Sequence, residues 1–156
     1  MSVCEFVFML HSHLPYYRKA GMWPFGEENL YECMAETYVP LLNAISELYD
    51  EGIKAKLTVG ITPILAEQLN DEHLQNGFVE YIDSRIAAVS KDLDRYPDRK
   101  VADSQRLYYL AKYYFDLWNK LRDDFVNKYE KNLIKYFKKN QDLCCIEITT
   151  SGATHG

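Results

Sequence analysis

A chain of 156 residues is long enough to bury one core and too short to make two domains the expectation. Its 47% hydrophobic and 26% charged content excludes a disordered polypeptide, and a net charge of -5 argues against a nucleic-acid partner, which needs a basic face. The 13 tyrosines suit either helix packing or contact with carbohydrate, because each offers an apolar ring with a polar tip.

The chain opens on "VCEFVFML" (3–10), a nearly all-apolar run that predicts a strand covered on both faces. It has no basic leader and too little apolar length for a signal or a membrane span, so no membrane partner and a cytoplasmic location are expected. "HSHLPYY" follows, where Pro15 ends the ladder, and then a glycine- and proline-punctuated loop, "RKAGMWPFGEE". From about Glu28 to Glu51 an apolar stripe at helical spacing (Leu30, Met34, Leu41, Ile45, Leu48) predicts a helix that Pro40 kinks or splits. Gly52 fits the position just past its end. "KAKLTVGITPIL" (54–65) reads as a second strand halted by Pro63, with a short helix, "ILAEQLN", directly after.

Residues 71–139 read as almost wholly helical, in two antiparallel pieces separated by "RYPDRK". The second carries one long stripe from Leu107 through Leu110, Ala111, Tyr114, Leu117, Trp118, Leu121 and Phe125 to Phe137. "LCCIEITT" (143–150) is the third strand. The order β-α-β-(several α)-β, with strands that are apolar runs, predicts an α/β fold with a parallel sheet wrapped by helices. In such sheets function gathers at the carboxyl ends of the strands, here "HSHLP", "ITP" and "TTSGATHG".

His11 and His13 stand two apart at the end of the first strand, which places both on one face. With His155 they could make three imidazole ligands of a zinc-hydrolase type. Polar contact with a substrate and structural hydrogen bonding are the competing readings, and no carboxylate sits beside them in an obvious ligand position. Trp23, in its loop, either plugs a local gap or offers a flat surface to a sugar ring. Glu27 and Glu28 read as acidic residues of a first helical turn. Glu147, mid-strand, needs a partner or a polar interior. The four cysteines have no C-x-x-C spacing, which leaves no zinc-knuckle or redox motif. Cleaving a glycosidic bond takes two carboxyl groups across the scissile link, and these strand ends supply no such pair.

His11-Ser12-His13-Leu14-Pro15-Tyr16, "WPFGEENLYECMAETYVPLL", "LTVGITPILAEQL" and "EITTSGATHG", in this order, resemble glycoside hydrolase family 57, and within it the 1,4-α-glucan branching enzymes. The resemblance implies an incomplete (β/α)7 barrel of the TIM-like kind, of which this chain is the N-terminal part, with a helical insertion at about 71–139 between strands two and three. It implies a retaining mechanism with a glutamate nucleophile on the fourth strand and an aspartate acid/base on the seventh, transferring a cleaved α-1,4 glucan chain to a 6-hydroxyl. On this resemblance His11, His13, Trp23, Thr154 and His155 contact the α-glucan, while both catalytic acids lie beyond Gly156. The expected partners are an α-glucan and the remainder of the enzyme, with no cofactor and no metal, and this chain alone is expected to be inactive. Left open beside this are an α-amylase or 4-α-glucanotransferase specificity, a non-catalytic binding or complementation module, and a metal-dependent hydrolase of the polysaccharide deacetylase type.

Overall fold

Three strands run side by side and all in one direction. In the computed structural model, which describes residues 4, 6–96 and 103–154, β1 (Met9–Ser12), β2 (Leu57–Ile61) and β3 (Ile146–Thr149) form a parallel sheet in the order β1-β2-β3. The register places His11 beside Gly60 and Gly60 beside Thr149. Parallel pairing sends the carboxyl ends of all three strands to the same rim.

β1 begins later than its composition predicts. Phe6, Val7 and Phe8 precede the strand and are exposed, whereas His11 and Ser12, read from sequence as the strand's tip, are its last two residues. The reason is register: β2 offers Ile61 opposite Ser12, and Thr62 N–H donates to the Ser12 carbonyl at 3.3 Å. The strands also alternate, unlike the two-sided apolar runs read from sequence. Val59, Ile61 and Ile146 point to one side and are buried, while Met9, His11, Thr58, Glu147 and Thr149 occupy the other.

The chain divides into two compact units, Met1–Leu74 with Asn132–Gly156, and Gln75–Lys131. In the first unit the buried side of the sheet is covered by helices. α1 (Glu27–Cys33) leads through a π-helical turn (Met34–Tyr38) into α2 (Val39–Asp50). The turn answers Pro40: in a regular helix its ring would clash with the carbonyl four residues back. Here Val39 N–H instead reaches five residues back to Met34, and the helix passes the proline without a break. Gly52 ends the run in a left-handed conformation, with Gly52 and Ile53 N–H groups closing back on Tyr49 and Leu48. α3 (Pro63–Asn70) and α6 (Leu133–Asp142) complete the layer, and Leu30, Leu42, Ile45, Leu65, Leu69, Leu133 and Phe137 are each 1% exposed or less. Full burial of such side chains stabilises by roughly 1.5–3 kcal/mol apiece.

In the second unit, α4 (Glu72–Arg95), which begins in the first, packs antiparallel to α5 (Ser104–Asp123) and the π-helical turn after it (Asp124–Lys128). Phe78 meets Phe125 edge-on at 4.7 Å and Tyr81 meets Trp118 at 6.0 Å. The long stripe expected to continue to Phe137 is interrupted. Glu130 and Lys131 both take positive φ, and Asn132 starts α6 afresh, its side chain accepting Lys135 N–H at 3.0 Å.

Candidate functional site

The open side of the sheet is polar toward its carboxyl end. His11, Gly60 and Thr149 form one row across the three strands. A side chain at residue 60 would begin 3.2 Å from His11 Nδ1 and 3.5 Å from Thr149 Oγ1, so glycine keeps the space between imidazole and hydroxyl clear. One step further along, His13 Nδ1 lies 3.2 Å from the hydroxyl of buried Thr62. His11 and His13 therefore share the face that their spacing predicts. Glu147 is on this side too, exposed, and it is the only carboxylate the three strands carry.

The loop from β1 to α1 rises from this rim and is stapled to the helices behind it. Tyr17 N–H donates to Gln68 Oε1 at 2.7 Å, and Gln68 Nε2 donates to the Pro15 carbonyl at 3.0 Å. Arg18 Nε donates to Asp71 at 2.7 Å, and Lys19 N–H donates to Glu27 at 2.7 Å. Trp23, at the loop's tip, is 78% exposed: it fills no gap in the described residues and its indole is open to solvent. Phe25 beside it is 83% exposed. Thr154 is exposed in the segment after β3, and His155 lies outside the described residues.

Three groups stand out electrostatically. Burial alone would raise the Glu27 carboxyl, but the Lys19 N–H, His73 and Tyr31 outweigh it and hold the group below its ordinary 4.5. For Asp71 burial is likewise outweighed, by the Leu74 N–H and the Arg18 guanidinium, and the carboxyl falls below 3.8. Behind the sheet, burial pushes the Tyr38 phenol far up, a hydrogen bond with Ser12 offsetting this only in part. Sequence reasoning placed Glu27 in the first turn of a helix, where it is, but gave it, Gln68, Asp71 and Thr149 no part in the site. The missed signal was local: Glu27 and Tyr31 stand four apart, on one helix face, directly behind a glycine.

Chemically, this rim offers imidazoles, hydroxyls and an indole, which are groups that bind a polyol with apolar ring faces. Among the described residues no group of three His, Cys, Asp or Glu side chains is placed to hold a metal ion. No helix among them is long and apolar enough to cross a membrane.

The profile of glycosyl hydrolase family 57 matches residues 7–156. The chain belongs to that family. It is 40% identical over 149 residues to a 1,4-α-glucan branching enzyme of Thermococcus kodakarensis, an alignment covering 96% of this chain and 21% of that protein. Its fold superposes on the branching enzyme of Pyrococcus horikoshii with a TM-score of 0.88 at 35% identity, covering 96% of this chain and 27% of the other. It also superposes on the α-amylase AmyC of Thermotoga maritima, with a TM-score of 0.79 at 31% identity and coverage of 96% and 27%. This family 57 chain thus spans about a quarter of the length of the relatives it matches.

Proposed function

We propose that this family 57 chain is the N-terminal, substrate-contacting segment of a 1,4-α-glucan branching enzyme acting in the cytoplasm. In this reading the sheet is the first part of an incomplete barrel and the Gln75–Lys131 unit belongs to a helical insertion between β2 and β3. His11, His13 and Trp23 hold the glucan, together with Thr154 and His155 from the end of β3. The observation that carries it is the open polar face, where His11 and His13 stand over Gly60 and Thr62 at the carboxyl ends of parallel strands. The nucleophile and the acid/base are supplied by the remainder of the enzyme, since β1–β3 carry Glu147 alone and retaining hydrolysis needs two carboxyl groups about 5 Å apart.

The likeness to an α-amylase at 31% identity favours hydrolysis of the same glucan as the second reading. Both readings share the substrate and the roles of this chain's residues, and they part only in whether water or a 6-hydroxyl receives the glycosyl group.

Affinity electrophoresis through amylose tests the proposal. The chain is expected to be retarded, the His11→Ala variant to run freely, and the iodine colour of amylose to persist through prolonged incubation. Unretarded migration of the unmodified chain refutes glucan contact, and fading of the iodine colour shows that the chain performs chemistry by itself.

A further inference from the structure

Glu27 is 7% exposed, yet it is a carboxylate, and its two oxygens meet three groups from three places in the first unit. Lys19 N–H donates to Oε1 at 2.7 Å from the β1–α1 loop. Tyr31 OH donates to Oε2 at 3.1 Å from the next turn of α1, and His73 Nε2 lies 2.8 Å from Oε1 at the start of α4. Burying a carboxylate is costly unless it is hydrogen-bonded throughout, and here it is. The arrangement demands a reason beyond helix capping, because a surface carboxylate in a first turn supplies that more cheaply.

The reason lies on the other side of the loop. Glu27 N–H donates to the Gly21 carbonyl at 2.8 Å and Glu28 N–H to the Met22 carbonyl at 3.3 Å, which closes residues 22–25 into a narrow tip. Gly26 makes the closure possible, since a Cβ there would fall 2.1 Å from the Gly21 carbonyl oxygen. The tip is unfavourable taken alone. Phe25 holds φ at 61°, uncommon for an aromatic residue, and both Phe25 and Trp23 are more than three-quarters exposed. Such a conformation persists only where its surroundings impose it, and it is characteristic of ligand clamps. Glu27 imposes it from both shoulders, holding Gly21 through its backbone and Lys19 through its side chain.

We propose that Glu27 is a positioning residue: its buried carboxylate fixes the β1–α1 loop so that the Trp23–Phe25 tip presents its rings as a stacking surface for a pyranose. It acts through Trp23 and touches no sugar. The ligand rests on the glucan reading above, whereas the geometry does not.

The chain has two tryptophans, Trp23 and Trp118, and therefore two indole N–H signals in a 1H–15N spectrum, assigned by Trp23→Phe. Without sugar, Glu27→Ala is expected to move the Trp23 signal toward the position of a free indole and leave Trp118 in place. Glu27→Gln, which keeps an acceptor for Lys19 N–H, is expected to give a smaller shift in the same direction. An unmoved Trp23 signal in Glu27→Ala overturns the proposal, and so does equal movement of both indoles, which marks a general loss of stability. Maltoheptaose is then titrated. Glu27→Ala is expected to weaken binding about tenfold, on the order of one aromatic stacking contact, and adding Trp23→Ala to weaken it no further. Full additivity of the two substitutions overturns positioning through Trp23. If the unmodified chain binds no maltoheptaose, the glucan reading fails, and the sugar-free spectra still decide the role of Glu27.

Discussion

Two carboxylates hold the rim loop, and both do so as anions. Glu27 and Asp71 each have a folded-state pKa below the ordinary value, 4.5 and 3.8 respectively, because hydrogen bonds to backbone N–H groups and cationic or phenolic side chains outweigh the cost of burial. A carboxyl with a depressed folded pKa binds fewer protons folded than unfolded. Its stabilisation is complete above the unfolded value and is lost as pH falls through the folded one. Urea midpoints of the unmodified chain are therefore expected to fall between pH 6 and pH 3 more steeply than those of the Glu27→Gln, Asp71→Asn double variant. At pH 6 the variant is the less stable of the two, because Tyr31 OH and the Leu74 N–H, both on buried residues, lose the charge of their acceptors. Parallel curves for the two proteins would remove both carboxylates from the account of stability.

At the level of elements, α5 separates what pattern alone can specify from what packing decides. Leu107, Leu110, Ala111, Tyr114, Leu117, Trp118 and Leu121 read as one core stripe, but helical spacing says only that they share a face, not that the face is covered. Among the described residues only part of it is covered: Ala111 and Leu121 are buried, whereas Leu110, Tyr114 and Leu117 are each more than 40% exposed. Leu121→Ala is accordingly expected to cost about 2–4 kcal/mol, with a cavity left behind, and Leu117→Ala under about 1 kcal/mol. Thermal unfolding followed by circular dichroism distinguishes this from the uniform costs a single core stripe requires. The same contrast explains where the sequence was legible. Gly52, Pro63 and the alternation of His11 and His13 act through backbone geometry and could be read directly. The π-helical turn before Pro40 and the left-handed pair Glu130 and Lys131 are backbone choices that the residue types there leave open, and the burial of Glu27 draws in part on His73, 46 residues away. Likewise "VCEFVFML" looked like a covered strand because hydrophobicity records what a segment can bury, not what lies beside it.

At the scale of the molecule, the sheet's open borders set its behaviour. Among the described residues β1 and β3 each pair with β2 alone, and the start of β1 and its approach carry Phe6 at 88%, Val7 at 73%, Phe8 at 50% and Met9 at 57% exposure. An unpaired strand edge is a template for another chain, and exposed apolar residues beside it remove the usual deterrent of charge. Three strands cannot close upon themselves to satisfy these groups. Self-association through this border is therefore expected at concentrations on the order of 100 μM, seen as a rise in sedimentation coefficient with loading. Val7→Lys and Met9→Lys place a strongly hydrated ammonium on the border without altering any buried residue, and are expected to return the chain to a monomer. Glu67→Lys, at an exposed position on α3, makes the same change in net charge as the two lysines together, serves as the control, and is expected to leave association unchanged. Should the lysine variants associate as strongly as the unmodified chain, the contact lies elsewhere; a monomer at every loading refutes association through the β1 border.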